Sequence, residues 1–275
     1  MNSTLGKLSG HLRIVCSADA EGRSHLSRQS FRAPLHLSKA YWDGDVLLVN
    51  VVNPTAGLFA GDEIEVDVSV ASGAKLLLTT PSASRAHAMP AGIARVRQQF
   101  TVETGAWLEV CPELFIPQAD CRYEQRTEID VAAGGELFFV ETLSPGRVAR
   151  GECFGFSELK WALDVRHEGL ALVRERFCVR RDDDSLHALN HPFANGYAAS
   201  CHLVSDRVDA NHPCWDAVRN LHGDNMWIGV SRLVQSGWMI KILARDSVFL
   251  RKGLHSLRGI LSEVFPALRV SSRKL

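Results

Sequence analysis

The chain has 275 residues with 31 basic and 31 acidic side chains, so its formal net charge is zero before any of its 11 histidines is protonated. That balance excludes a protein built around nucleic-acid phosphates or an anionic membrane, both of which require a basic excess. At 46% hydrophobic and 23% charged, the composition excludes a disordered chain, and the length suffices for a sizeable core without a disulfide or metal to hold it.

Met1 to Leu12 carries only Lys7 as a basic residue and no continuous apolar run, so it does not read as a signal peptide. No segment approaches the eighteen or so apolar residues of a membrane-spanning helix. The seven cysteines, at 16, 111, 121, 153, 178, 201 and 214, are odd in number, scattered, and contain no CxxC pair. A reducing, cytoplasmic setting follows as the expectation.

Strands dominate the first two thirds. Ile64, Val66, Val68 and Val70 alternate with polar residues, the period of a half-buried strand. Ser72-Gly73-Ala74 then turns the chain into Leu76-Leu77-Leu78. The same phrase returns around Gly105, Gly135 and Gly169, at steps of 32, 30 and 34 residues. Each unit is a strand pair too small to bury its own apolar face, so stacking successive pairs would build one continuous core. The expected fold is therefore mainly β, stacked β-layers of strand pairs with a few helices. A sandwich is the alternative.

Beyond residue 180 the pattern changes. Arg180 to Asn195 is polar and reads as a surface loop, and a helix is expected from an asparagine cap at Asn211 with Pro213 at its start. Near the end, Leu250, Leu254, Leu257, Leu261 and Val264 form one helical stripe, followed by Phe265, with Arg251, Lys252 and Arg258 lying off it. The stripe is expected to pack on the β-core. One domain, 1–275, would thus comprise a β-rich part (10–180), a loop and helix (181–225), and C-terminal strands and helix (226–275).

Enzyme signatures are absent: there is no GxxxxGK[ST], GxGxxG or GxSxG. His187, His191, Cys201, His202, His212, Cys214 and His222 gather late and could hold a metal. The plainer reading makes them loop and cap histidines. Gly57-Leu58-Phe59-Ala60-Gly61-Asp62 predicts a tight bend, in which Asp62 either caps the turn or presents its carboxylate to a passage or contact surface. Pro145 to Glu152 exposes Arg147, Arg150 and Glu152 in a turn, suited to an internal ion pair or to a partner.

Taken together, Gly57 to Asp62, then Leu78-Thr79-Thr80-Pro81-Ser82-Ala83-Ser84-Arg85, then Pro112-Glu113 with Ile116-Pro117, then Gly146-Arg147 and Gly151-Glu152, resemble the successive signatures of the UreD (UreH) family of urease accessory proteins. The ordered match covers roughly Leu35 to Arg180, and the tail from Trp227 to Leu275 is similar more loosely. Two stretches depart from the family pattern: Ala86-His87-Ala88 after Arg85, and Asn53-Pro54-Thr55-Ala56 before Gly57.

The resemblance implies a non-enzymatic nickel chaperone with a two-layered β-helix-like fold. It implies binding to UreF, recruitment of UreG through UreF, docking on the urease apoprotein, and an internal passage for transient Ni²⁺ with no tightly bound cofactor. Carried over by position, Asp62 and Glu152 would meet the nickel. Gly57, Gly61, Thr79, Thr80, Ser84, Pro112, Glu113, Gly146, Arg147 and Gly151 would shape the passage or a partner surface. Carboxylate and hydroxyl oxygens suit an ion that must be released, because thiolates or imidazoles in number would hold it too tightly. The rival reading is a β-rich, metal-dependent enzyme using the His187–His222 region.

Overall fold

The computed structural model describes residues 9–55, 57–181, 193, 196–234 and 236–271. Two sheets face each other. The first takes β1 (Ser9–Ala18), β2 (Ser24–Arg32), β6 (Glu63–Val70), β9 (Ala94–Val102), β12 (Arg122–Val131), β14 (Glu158–His167) and β15 (Leu170–Arg180), in the order β15-β14-β12-β9-β6-β1-β2. Its five central strands are parallel, and the outer strands β2 and β15 are antiparallel to their neighbours.

The second sheet's main path takes β3 (His36–Leu37), β5 (Val46–Val52), β7 (Lys75–Thr79), β10 (Trp107–Cys111) and β13 (Glu136–Leu143), and continues through β16 (Tyr197–Val204), β18 (Trp238–Ala244) and β17 (Met226–Arg232). Strands β5, β7, β10 and β13 run parallel, and the last three are antiparallel. A short strand, β4 (Tyr41–Asp43), pairs with β5 at its side.

The stack expected from the repeat is present. Each coil gives one strand to each sheet, and equivalent residues lie directly above one another. Val68, Phe100, Ile129 and Val165 share one register line in the first sheet, and Leu76, Leu108 and Leu137 share one in the second. All seven are at most 1% exposed. Burying each such side chain contributes about 1.5–3 kcal/mol relative to leaving it in water, so the repeat assembles its own core.

Between the sheets the chain turns through four residues, closed by Ala74 N–H to Ala71 O (3.0 Å), Ala106 N–H to Glu103 O (3.1 Å) and Gly135 N–H to Ala132 O (2.9 Å). The third position has positive φ: 74° at Gly73, 71° at Gly105 and 68° at Gly134. Glycine takes that conformation without the Cβ penalty.

Two details of the sequence reading are corrected here. The third turn glycine is Gly134, not Gly135; Gly135 instead fills the inward site held by Ala74 and Ala106 in the other coils, where a Cβ would meet Glu103 O at 2.8 Å. The phrase around Gly169 is not a fourth coil. Glu168 and Gly169 both take positive φ, the requirement of a tight hairpin turn, and the chain folds back as β15 in the same sheet.

Outside the second sheet lie α1 (Cys214–Arg219) and α2 (Ser247–Leu261). Asn211 does not cap α1; His212 Nδ1 instead accepts the Cys214 N–H at 3.2 Å. Asp246 caps α2, accepting from Val248 and Phe249 N–H at 2.8 and 2.9 Å. Leu250, Leu257 and Leu261 of the stripe, with Phe265 after it, are buried against Trp107, Phe138 and Trp238.

Arg258 does not lie off this face. It is buried under the helix, with Nε and Nη2 at 2.7 and 3.0 Å from the two carboxylate oxygens of the buried Glu109. Nη2 also donates to Val270 O at 3.0 Å. The residues of the expected 180–195 loop lie mostly outside those described.

Candidate functional site

The motifs that suggested a family occupy one corner of the stack. Leu58 bridges Ala86 of β8 (Ser84–Ala86), which pairs in parallel with β11 (Phe115–Pro117). Phe115 then pairs with Leu143, and Ser144 N–H donates to Phe115 O at 2.9 Å. The stretches 57–62, 79–85, 112–117 and 144–152 are thus equivalent positions of successive coils. Close backbone packing explains their glycines: at Gly57, with φ 148°, a Cβ would meet Arg85 O at 2.8 Å. His87, in a stretch that departs from the family pattern, stacks on Phe59 with ring centroids 4.5 Å apart.

The corner residues divide into two groups. Asp62 and Glu152 support backbone. The Asp62 carboxylate is buried and accepts the Phe59 N–H at 2.8 Å, closing the Gly57–Asp62 bend. Glu152 accepts the Ala119 N–H at 3.1 Å and forms a two-pronged pair with Arg147, one prong at 2.8 Å. The Arg147 guanidinium holds its carboxyl below the usual range. Gly61, Gly146 and Gly151, all at positive φ, shape these same bends.

Gly57, Thr79, Thr80, Ser84, Pro112 and Glu113 instead line a cavity of about 210 Å³ that opens between the sheets. Thr80 Oγ1 accepts the Glu113 N–H at 2.9 Å, tying two coils together at its mouth. The exposed run Pro81-Ser82 leads in from solvent. The inner end of the cavity is polar. Tyr123 donates to Gln125 Oε1 at 2.7 Å, Gln125 Nε2 donates to Glu141 Oε1 at 2.8 Å, and Trp161 Nε1 donates to the same oxygen at 2.6 Å. Burial pushes the Glu141 carboxyl up to about 7; its two direct donors are neutral and offset only part of that cost.

A second cavity, of about 310 Å³, lies beyond it, and Glu141, Thr142 and Trp161 line both. At its other end stand Glu175, Ser200 and Lys241. Glu175 is held well below the usual carboxylate range: burial works against this, and the hydrogen bonds it accepts outweigh burial. Burial pushes His202 towards its neutral form, so the charge that balances Glu175 is the Lys241 ammonium at 2.5 Å. Hydroxyl, amide and carboxylate groups therefore extend from the Thr80 mouth to the Lys241 mouth.

The sequence matches the family described as UreD urease accessory protein over residues 8–273. It is 45% identical over 272 residues to urease accessory protein UreD of Opitutus terrae, covering 97% of this chain and 99% of that one. The chain belongs to the UreD family. It is also 29% identical to the UreD of Herpetosiphon aurantiacus, over 98% of this chain and 94% of the relative, and 33% identical to that of Mycolicibacterium gilvum, over 73% of each. These relatives are named accessory proteins rather than enzymes.

Against the rival enzyme reading, the late histidine and cysteine group is dispersed among the described residues. His187 and His191 lie outside the described residues. His202 faces between the sheets, whereas Cys201 is buried on the opposite face of β16. His212 Nδ1 accepts the Cys214 N–H at the start of α1, Cys214 is buried in it, and His222 stacks on Trp227 with ring centroids 6.1 Å apart. Among the described residues no three His, Cys, Asp or Glu side chains converge as a metal site, and no helix is long and apolar enough to cross a membrane.

The sequence reading missed Glu141, Gln125, Glu175 and Lys241, and took His202 only as a member of the late histidine group. A signal existed for Glu141: Leu137, Phe139 and Glu141 share one face of β13, so a carboxylate stands where the period of two demands an inward side chain.

Proposed function

We propose that this chain is a cytoplasmic scaffold for urease maturation that binds UreF and the urease apoprotein, meets UreG through UreF, and lets transient Ni²⁺ pass between its two sheets. One observation carries the passage: Glu141 lines both cavities, with the Thr80 and Glu113 mouth on one side and Glu175 on the other. A hydrated divalent ion needs oxygen donors along its way and no site that captures it. Spaced carboxylates, amides and hydroxyls without a converging set of imidazoles or thiolates meet that need.

In this reading nickel is cargo, Glu141 relays it, and Asp62 and Glu152 hold the corner that frames the entrance. The test is Glu141→Gln, which keeps the shape and the acceptor oxygen for Trp161 and Gln125. The variant should co-purify with UreF and urease as wild type does, yet leave urease nickel content and activity several-fold lower. Full activation by Glu141→Gln would overturn the passage and leave the scaffold role standing.

A further inference from the structure

The Glu175 end of the second cavity holds more than a carboxylate. Lys241 Nζ donates to Glu175 Oε1 at 2.5 Å and to Ser200 Oγ at 2.6 Å. Ser200 Oγ lies 3.4 Å from Glu175 Oε2 and 2.9 Å from His202 Nε2, and His202 Nε2 is itself 3.5 Å from Glu175. The His202 side chain is fully buried, and its Nδ1 finds no hydrogen-bond partner among the described residues. A neutral imidazole, a hydroxyl and a carboxylate are donor types that a borderline divalent cation accepts. The positive charge at their centre is supplied by the chain itself.

Lys241 is well suited to give way. Its side chain is 45% exposed, it sits on a flexible four-carbon stem, and its ammonium is readily hydrated. The first cavity repeats the arrangement more loosely: Glu113 at its mouth is met by Arg251 Nη2 from α2 at 3.4 Å.

We propose that Lys241 is a built-in competitor for the cargo: its ammonium occupies the Glu175 end of the passage, and a divalent cation engages Glu175, with Ser200 and His202 beside it, only when Lys241 swings out to solvent. The proposal rests on the passage reading and adds its regulation. Because one charge replaces another at the same carboxylate, removing the ammonium must raise affinity for a 2+ ion, whereas a cation that bound elsewhere would be indifferent to it.

Calorimetric titration of the full chain with NiCl₂ tests this. Lys241→Met should bind Ni²⁺ about tenfold more tightly than wild type, Lys241→Arg should stay near wild type, and Lys241→Met combined with Glu175→Gln should lose the gain. Lys241→Gln gives the same readout should the methionine variant fold poorly. Wild-type affinity in a folded Lys241→Met or Lys241→Gln chain would overturn the proposal, and so would a gain that survives Glu175→Gln. The passage reading fails separately. A tighter Lys241→Met together with full urease activation by Glu141→Gln keeps the competition and removes the route, and the opposite pair of results does the reverse.

Discussion

Two glutamates lie in adjacent strands of the second sheet, Glu109 fully buried and Glu141 half-buried, and their surroundings differ. Glu109 on β10 faces the outer side, beneath α2, where Arg258 closes on both its oxygens in a dry, leucine-rich layer. Glu141 on β13 faces the space between the sheets, where a Trp161 indole and a Gln125 amide are its direct donors and two cavities border it. Burial pushes both carboxyls up, but at Glu109 the guanidinium pulls back against burial, whereas Glu141 rises to about 7. A buried carboxylate with its own guanidinium is a fastener between helix and sheet. One given neutral donors and open space remains able to exchange its proton for another cation near neutral pH.

The largest expected effect breaks the first region into the likeness of the second. Arg258→Met leaves Glu109 buried without its counter-charge and should cost about 3–5 kcal/mol, read as a lowered urea midpoint. The matching double change, Arg258→Met with Glu109→Met, should recover most of that loss, since replacing both partners by apolar groups avoids the unpaired charge.

Next in size is the pH dependence at Glu141. Its folded pKa of about 7 lies above the 4.5 of an ordinary glutamate, so the folded chain binds that proton more tightly than the unfolded one. Stability from this group is present below about pH 4.5, is lost as pH rises towards 7, and is constant above, a total of about 3 kcal/mol. Glu141→Gln should therefore gain stability over wild type progressively between pH 5 and 8 in urea titrations. A difference that stays constant with pH would show that Glu141 titrates as an ordinary surface glutamate. The smallest effect belongs to a pair outside both regions. Arg126 and Glu128 sit on the solvent face of the first sheet with side chains 61% and 34% exposed, and Arg126→Ala should shift stability by less than about 0.5 kcal/mol.

The stack was legible in the sequence because two local rules coincide: a period of two along each strand, and glycine where the turn needs positive φ. Neither rule distinguishes Gly169 from Gly105, since whether a glycine turn crosses to the facing sheet or folds back depends on pairing partners far along the chain. The corner motifs were legible as positions but not as two groups, because the difference between Asp62 and Thr80 lies in which side of the corner each faces. Arg258 stood beside an apolar stripe and read as solvated; the Glu109 that buries it is 149 residues away. Glu175 and Lys241 are 66 residues apart and meet only because β15, folded back at the end of the first sheet, faces β18 of the second.

The parallel run of the first sheet is flanked by reversed strands, β2 on one side and β15 on the other. A stack of identical parallel rungs has no inherent length: a bare outermost strand offers the next molecule the same ladder it offers its own neighbour, which is how fibrils grow. Reversal breaks that equivalence, and the flanking strands present Arg28 and Arg32 on one side and Arg174, Arg176 and Arg180 on the other. A polymerisable architecture is thereby held to a discrete particle with a fixed number of coils, and the distance between its two cavity mouths is fixed with it.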